Sequence, residues 1–512
     1  MATTGTVPVS RPNSAPTPEA SSHRSGPVIA LLVVAAFVVI LNETTMSVAL
    51  PAIMADFGVS AATGQWLTSA FLLTMAVVIP LTGFLLERFP IRNVFFAAMG
   101  VFAVGTLVAA IAPAFGVLLV GRIIQAMGTG VMMPLLFTTV LNLVPANKRG
   151  RVMGVVTIVI AVAPAVGPTV SGLILSALTW HAIFWLILPI ALVAIALGAR
   201  WVRNVTQTRP DARFDVLSVV LSAIGFGGLV YGLSAIGESA SGHASVPVWI
   251  PLAVGAVFVT VFVIRQLRLQ RSDAALLDLR VFQSPSFRLA VPLVAIVMAA
   301  LFGSLILLPI FLQQALGLSS LTVGLMLLPG GVLMGVMAPI VGRLFDRFGP
   351  TPLVIPGMVI AAVVLWTMAL TFDQSTPIWW IVTVYLGLNL GLGLVFTPLM
   401  TSALGSLPRR LYSHGSAVVG TAQQVAGAAG TAGFVAIMTV FSSTALAGGA
   451  DQPGAVASGV HVSFLVGAVI ATAAVILACF VRKPAEAEES DAPVVAHLGG
   501  FEADSNPSRS RR

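Results

Sequence analysis

The chain is a succession of long apolar stretches separated by short breaks of charge, proline or glycine. A helix crossing a bilayer needs about 20 mostly apolar residues. Windows of that kind fall at 28–50, 66–86, 92–112, 117–140, 152–176, 182–200, 215–236, 247–267, 289–312, 320–341, 352–371, 377–400, 416–440 and 460–481. The pattern predicts an all-α polytopic membrane protein with fourteen spanning helices. Polar positions sharpen this. All but one of the 26 Lys and Arg residues fall in one alternating set of loops and ends, among them Arg88, Arg92, Lys148, Arg200, Arg265, Arg343, Arg409 and Arg482. The exception, Arg122, lies inside the fourth window. By the positive-inside rule both ends of the chain are expected in the cytoplasm, which requires an even number of spans.

Composition agrees with this picture and excludes several classes. With 57% hydrophobic and 9% charged residues and a mean hydropathy of +1.01, the chain is no ordinary soluble domain. The net charge of +8 does not point to nucleic acid, because the basic residues are scattered through short loops without a stripe or an aromatic platform. Residues 1–26 and 484–512 read as disordered cytoplasmic ends. The first apolar run is too long for the core of a cleavable signal. A single cysteine, Cys479, excludes an intrachain disulfide and a cysteine metal site. No G-x-x-x-x-G-K-[ST] string occurs, which argues against an ATP-driven pump, and no hydrolytic or metal-ligating constellation appears. We therefore expect no enzyme and no cofactor, only a coupling ion.

Glu43 is the one carboxylate deep inside a long apolar run. An acid at such depth is costly to hold ionised unless paired, and it marks a functional site that can exchange a proton. Arg122 cannot be deprotonated, so it must face the bundle interior and find acceptors, either tuning a nearby acid or bonding the backbone of the first helix. Two strings, Gly83 to Arg92 (GFLLERFPIR) and Gly342 to Gly349 (GRLFDRFG), follow the second helix of successive six-helix blocks, so the chain looks duplicated. The expected organisation is a bundle over 27–205, two additional helices within 206–285, and a second bundle over 286–483.

These strings resemble the major facilitator superfamily and, within it, the fourteen-helix drug:proton antiporter family, over roughly residues 28 to 481. Leu118 to Gly128 (LLVGRIIQAMG) is similar to the fourth-helix motif of proton-coupled members, and Ala163 to Gly172 (APAVGPTVSG) to the fifth-helix motif of exporters. The first-span string Leu41 to Pro51 (LNETTMSVALP) is similar to the family's L-D-x-T-x-x-x-V-A-L-P, except that Asn42 stands at the acidic position and Glu43 follows it. Trp180-His181 and the segment Ser413 to Gly427 resemble further family signatures, with His181 and His414 read as structural and hinge residues. The resemblance implies a major facilitator fold of two six-helix bundles plus two helices, and proton-coupled export with Glu43 and Arg122 at the coupling site. It implies gating by Gly83, Glu87, Arg88, Arg92, Gly342, Asp346 and Arg347, and an antiport motif in Pro164, Gly167, Pro168 and Gly172. Asn42, Met46, Gln125, Phe311, Gln314 and Asn389 are expected to line the cavity, with Phe37, Tyr385 and Gln424 as further candidates. Mostly apolar walls with one acid suit amphipathic, cationic compounds. The expected partners are such compounds, protons and membrane lipid, for a monomer in the bacterial inner membrane. Export of an endogenous lipid, siderophore or metabolite by the same machinery is an alternative. A receptor or scaffold is another, though it would not need Glu43, Arg122 and the exporter motif together.

Overall fold

The structure, a computed structural model, describes residues 19–144, 146–202, 215–240, 246–272, 275–408 and 411–481. Every expected window falls on helix. Helix α1 covers Glu19–Phe57, and a single turn, α2 (Ala61–Gly64), leads into α3 (Trp66–Arg88). Then follow α4 (Ile91–Ala110), α5 (Phe115–Leu143), α6 (Ala146–Leu175) and α7 (His181–Trp201). A hairpin of α8 (Val216–Ala240) and α9 (Trp249–Leu269) precedes α10 (Pro285–Ile310), α11 (Ser320–Phe348) and α12 (Thr351–Thr371). The last three are α13 (Ile378–Gly405), α14 (Tyr412–Ala447) and α15 (Gln452–Ala478). Among the described residues thirteen helical segments are long and apolar enough to cross a bilayer, and the 30-residue α6 covers the remaining window.

Local chemistry sets the boundaries. Ser60, Ser284, Ser319 and Asp451 cap α2, α10, α11 and α15 by accepting backbone N–H bonds, and Gly349 ends α11 in the left-handed conformation at φ 77°. Proline inside α1, α3, α5 and α6 is tolerated because backbone groups it frees can be met by neighbouring helices.

Within the first group, α5 packs on α1, α3 and α4, while α7 packs on α1 and α4. In the second, α10 packs on α13 and α14, and α12 on α13 and α15. Two main seams join the groups, α6 against α11 and α3 against α14. The loops rich in arginine define a basic end of the bundle. At the other end the α6–α11 seam is tight. A Cβ placed on Gly324 would lie 2.6 Å from the Pro168 carbonyl oxygen, and one on Gly172 would strike the Ser320 carbonyl. The Thr169 hydroxyl donates to the Gly324 carbonyl at 3.0 Å. Towards the basic end, α11 has one further buried residue beyond Gly330, Val341.

The hairpin sits outside both groups. Helix α9 packs on α8, with a Cβ on Gly228 lying only 2.9 Å from the Gly255 Cα. At its basic end the Arg265 fork donates to Asp215 at 2.8 and 3.1 Å. Gln266 donates to the Ser218 hydroxyl at 2.6 Å and accepts from the Leu277 N–H at 3.1 Å, which ties the hairpin to the chain entering α10. Burial alone would raise the Asp215 carboxyl, but hydrogen bonds from Arg265 and Ser218 outweigh it and hold the group below the usual carboxylate range. A depressed carboxylate stabilises the fold above its unfolded pKa, and the stabilisation is lost as pH falls through the folded value. Asp215→Asn is therefore expected to destabilise the protein by roughly 1 kcal/mol at neutral pH. In thermal unfolding series the gap between wild type and variant should close below about pH 4.

Candidate functional site

Helix α1 carries the central observation. Among residues 28–51 the positions that escape full burial are Ile29, Ala30, Val34, Phe37, Ile40 and Glu43. From Ala30 onwards they recur every three or four residues, and the row winds about half a turn round the helix, since Val34 and Glu43 stand nine residues, about 180°, apart. From Thr44 to Pro51 every residue is buried. The row extends roughly 20 Å along α1, at 1.5 Å per residue, and ends at Glu43. Glu43 is the last half-buried position before this fully buried stretch.

Asn42, about 100° round the helix from Glu43, turns the other way. It has no exposure and its Oδ1 accepts from Gln125 Nε2 of α5 at 3.5 Å. Gln125 Nε2 also donates to the Thr106 hydroxyl of α4 at 2.8 Å, and Gln125 Oε1 accepts from Arg122 Nη1 at 3.1 Å. Arg122 is fully buried, with its guanidinium 4.1 Å from the centre of the Phe71 ring and its Nε donating to the Leu67 carbonyl of α3 at 3.4 Å. Glu43 is close enough for its charge to attract that of Arg122. Of the two roles expected of Arg122, the structure has it within reach of a nearby acid, while the backbone acceptor it uses belongs to α3 and not to the first helix. Two buried donors, Arg122 Nη2 and Asn42 Nδ2, have no hydrogen-bond partner among the described residues.

The small residues of the fifth-helix motif give α6 two close contacts. A Cβ on Gly167 would collide with the Thr44 hydroxyl, next to Glu43, and one on Gly172 with α11. Pro168 is buried and Pro164 is exposed. This motif therefore seats α6 between the helix that bears the acid and the opposing half.

Several cavity expectations need correction. Phe311 has no exposure and stacks on Phe372 at 5.8 Å, so it belongs to the core of the second half. Met46 is likewise buried, within the apolar core. Asn389 is buried and spends its amide on the Tyr385 carbonyl of its own helix at 2.9 Å. Asn42 and Gln125 are buried parts of the Arg122 network. Gln314, Phe37 and Gln424 are half-buried. Sequence reasoning missed Gln313, which donates to the Val48 carbonyl at 3.2 Å and accepts from Ser320 at 3.1 Å, fastening α1 to the start of α11. It sits in a five-residue π-turn, Phe311–Ala315, which no residue pattern announced. Gln423, with its amide on the Met400 sulfur at 3.1 Å, was also passed over as a contact.

At the basic end, Arg92 donates to the Ala199 carbonyl within its own half at 3.2 Å, while Gly83, Asp346 and Arg347 are exposed. Arg88 is exposed 6.0 Å from the Phe84 ring, and Gly342 is half-buried with open space where a Cβ would stand. The side chain of Glu87 lies outside the described residues. His181 stacks on Trp180 at 3.5 Å and faces the Ala112 carbonyl, in a structural setting. His414 lies near Asp278, at the entry to α14.

The sequence profile of the Major Facilitator Superfamily matches residues 32–431. The chain belongs to the major facilitator superfamily. It is 41% identical over 463 residues to the lincomycin resistance protein LmrB of Listeria monocytogenes, covering 89% of this chain and 97% of that protein. It is 42% identical over 460 residues to the MFS-type transporter YcnB of Bacillus subtilis, with 89% and 95% covered. A multidrug resistance protein B homolog of Mycobacterium tuberculosis is 31% identical over 405 residues, with 78% and 73% covered. This major facilitator chain is a membrane transporter, not an enzyme. Its Arg122 makes a forked set of contacts that an ammonium cannot reproduce. Arg122→Lys should therefore slow transport about tenfold, the equivalent of roughly 1.5 kcal/mol for one charge-assisted hydrogen bond. Initial-rate measurements in proteoliposomes, normalised to folded protein, check this; equal rates would show that charge alone suffices.

Proposed function

We propose that this transporter is a proton-coupled exporter of amphipathic, cationic drugs or toxic compounds, working by alternating access in the bacterial inner membrane as a monomer with both termini in the cytoplasm. The observation that carries this reading is Glu43, a half-buried titratable acid inside the first span and within reach of the charge of Arg122. The names of the relatives, lincomycin resistance and multidrug resistance, support the cargo class.

In the cycle, an amphipathic cation enters the cleft from the cytoplasm. Its apolar body is desolvated against the walls, and its charge meets the Glu43 carboxylate as the proton leaves. The seam between α6 and α11 then parts at the far end, the basic end closes, and a proton arriving from outside takes the carboxylate and frees the cation. One group that binds either the proton or the cation, never both, couples the two flows. Arg122 holds a positive charge beside Glu43, so the carboxylate is not left uncompensated between losing its proton and meeting the cation.

The test is proton-driven uptake of a panel of lipophilic cations into inverted vesicles, wild type against Glu43→Gln. Glu43→Gln is expected to abolish accumulation driven by a pH gradient while keeping downhill movement of cargo. Undiminished accumulation in the variant would remove Glu43 as carrier. If none of the cations moves while an endogenous lipid or siderophore does, the cargo class is wrong.

A further inference from the structure

Charge deep in the spans is confined to the first group of helices, in Glu43 and Arg122. Asp, Glu, Lys and Arg are absent from 289–342, 351–372, 374–408, 411–450 and 452–481, which carry the spans of the second group. What that group can offer a ligand at depth is chiefly carboxamides, those of Gln313, Gln314, Asn389, Gln423 and Gln424. Two of them are bonded unlike the rest. Gln423 Nε2 donates to the Met400 sulfur of α13 at 3.1 Å, and Gln424 Nε2 to the Met75 sulfur of α3 at 3.4 Å. The amides of Gln65, Gln125, Gln266, Gln313 and Asn389 all donate to oxygens. A thioether is a weak acceptor, so an amide resting on sulfur gives up little when an oxygen takes its place.

The surroundings leave room for that oxygen. From Ala422 to Ala426 every position of α14 is half-buried, between buried Thr421 and buried Gly427. Five consecutive residues make more than a full turn, so no side of α14 is closed at this depth, including those towards α3 and α13. Met400 is half-buried as well. The place also adjoins the coupling pair. Met75 packs with Phe71 and Ala126, and the Phe71 ring lies 4.1 Å from the Arg122 guanidinium. Two side chains on successive turns of α3 thus separate Gln424 from Arg122, which is itself within reach of the charge of Glu43.

We propose that Gln423 and Gln424 form a second, uncharged arm of the cargo site, whose amides exchange methionine sulfur for an acceptor oxygen of the cargo, in a carbonyl, ether or hydroxyl group. The proposal rests on the reading that the cargo is an amphipathic cation, and adds that this cation carries an oxygen function on its apolar body. The positive charge meets Glu43 in the first half, and the oxygen meets α14 in the second. Apolar walls discriminate weakly between apolar bodies, whereas a site built to bond an oxygen rejects the analogue that lacks it. The methionines suit the remaining contact, being unbranched, polarizable and adaptable in shape.

The experiment measures equilibrium binding of two benzyltriphenylphosphonium ions to the purified full-length protein, one with a para methyl ester on the benzyl ring and the other with a para isopropyl group. Gln423→Leu and Gln424→Leu are each expected to weaken the ester about fivefold, the worth of one neutral hydrogen bond, and to leave the isopropyl ion within about twofold. Equal losses for both ions, or no loss for the ester, would overturn the second arm. Met75→Leu and Met400→Leu provide a separate measurement in variants that conserve side-chain volume. Each removes the competing sulfur and should tighten the ester while leaving the isopropyl ion unchanged. An ester bound no more tightly would equally overturn the exchange. If the wild type binds neither ion, the cationic cargo is wrong and the arm falls with it. If both bind as expected and a pH gradient moves neither, proton coupling alone is removed and the arm stands.

Discussion

A guanidinium that has no exposure and no way to lose its charge is the constraint on which the first half of this protein depends. Placing Arg122 in the apolar interior is tolerable only if acceptors are brought to it. The acceptors come from several elements at once: the Leu67 carbonyl on α3, Gln125 on α5, and behind it Thr106 on α4 and Asn42 on α1. The Phe71 ring supplies a cation–π face on the remaining side. One buried charge thus fixes the relation of α1, α3, α4 and α5. A half held in this way moves as a rigid unit, which alternating access requires.

Between the halves the constraint is the reverse. Contacts that must break cannot leave polar groups stranded in the bilayer, so the moving seam is made of backbone surfaces brought close by Gly172 and Gly324. The same rule accounts for the position of Gly167. Its missing side chain lets α6 ride on Thr44 of α1, so that motion of α6 is felt one residue from Glu43. Buried amides and hydroxyls stand instead where α8 lies on α2 and α3, with Gln65, Ser69 and Ser234 satisfying one another.

Much of this was legible in the sequence, for reasons that also mark where legibility ends. Fourteen apolar windows and the one-sided arginines could be read directly, because the bilayer imposes length and hydropathy on every span. Arg122 and Glu43 stood out because charge inside a span is rare. The cavity wall was poorly read. Phe311, Met46 and Asn389 are of residue types that line cavities and pack cores alike, and hydropathy carries no phase when a helix is apolar all round. The π-turn at Phe311–Ala315 that aims Gln313 at α1 left no mark either, since it depends on packing between α10 and its neighbours.

The displaced acid shows how one residue of phase sorts two roles. At position 42 a side chain points into the bundle, where Asn42 meets Gln125 and is closed off from the cleft. A carboxylate there would sit within the Arg122 network and exchange protons only if that network opened. At position 43 the side chain turns away from that network and is half-buried, while Arg122 still lies within electrostatic reach. The neutral amide at 42 keeps the guanidinium's hydrogen-bonded frame in place, and the acid at 43 is free to meet whatever enters the cleft. Structural support and chemical exchange, which a single aspartate at position 42 would have to combine, fall to two adjacent residues here.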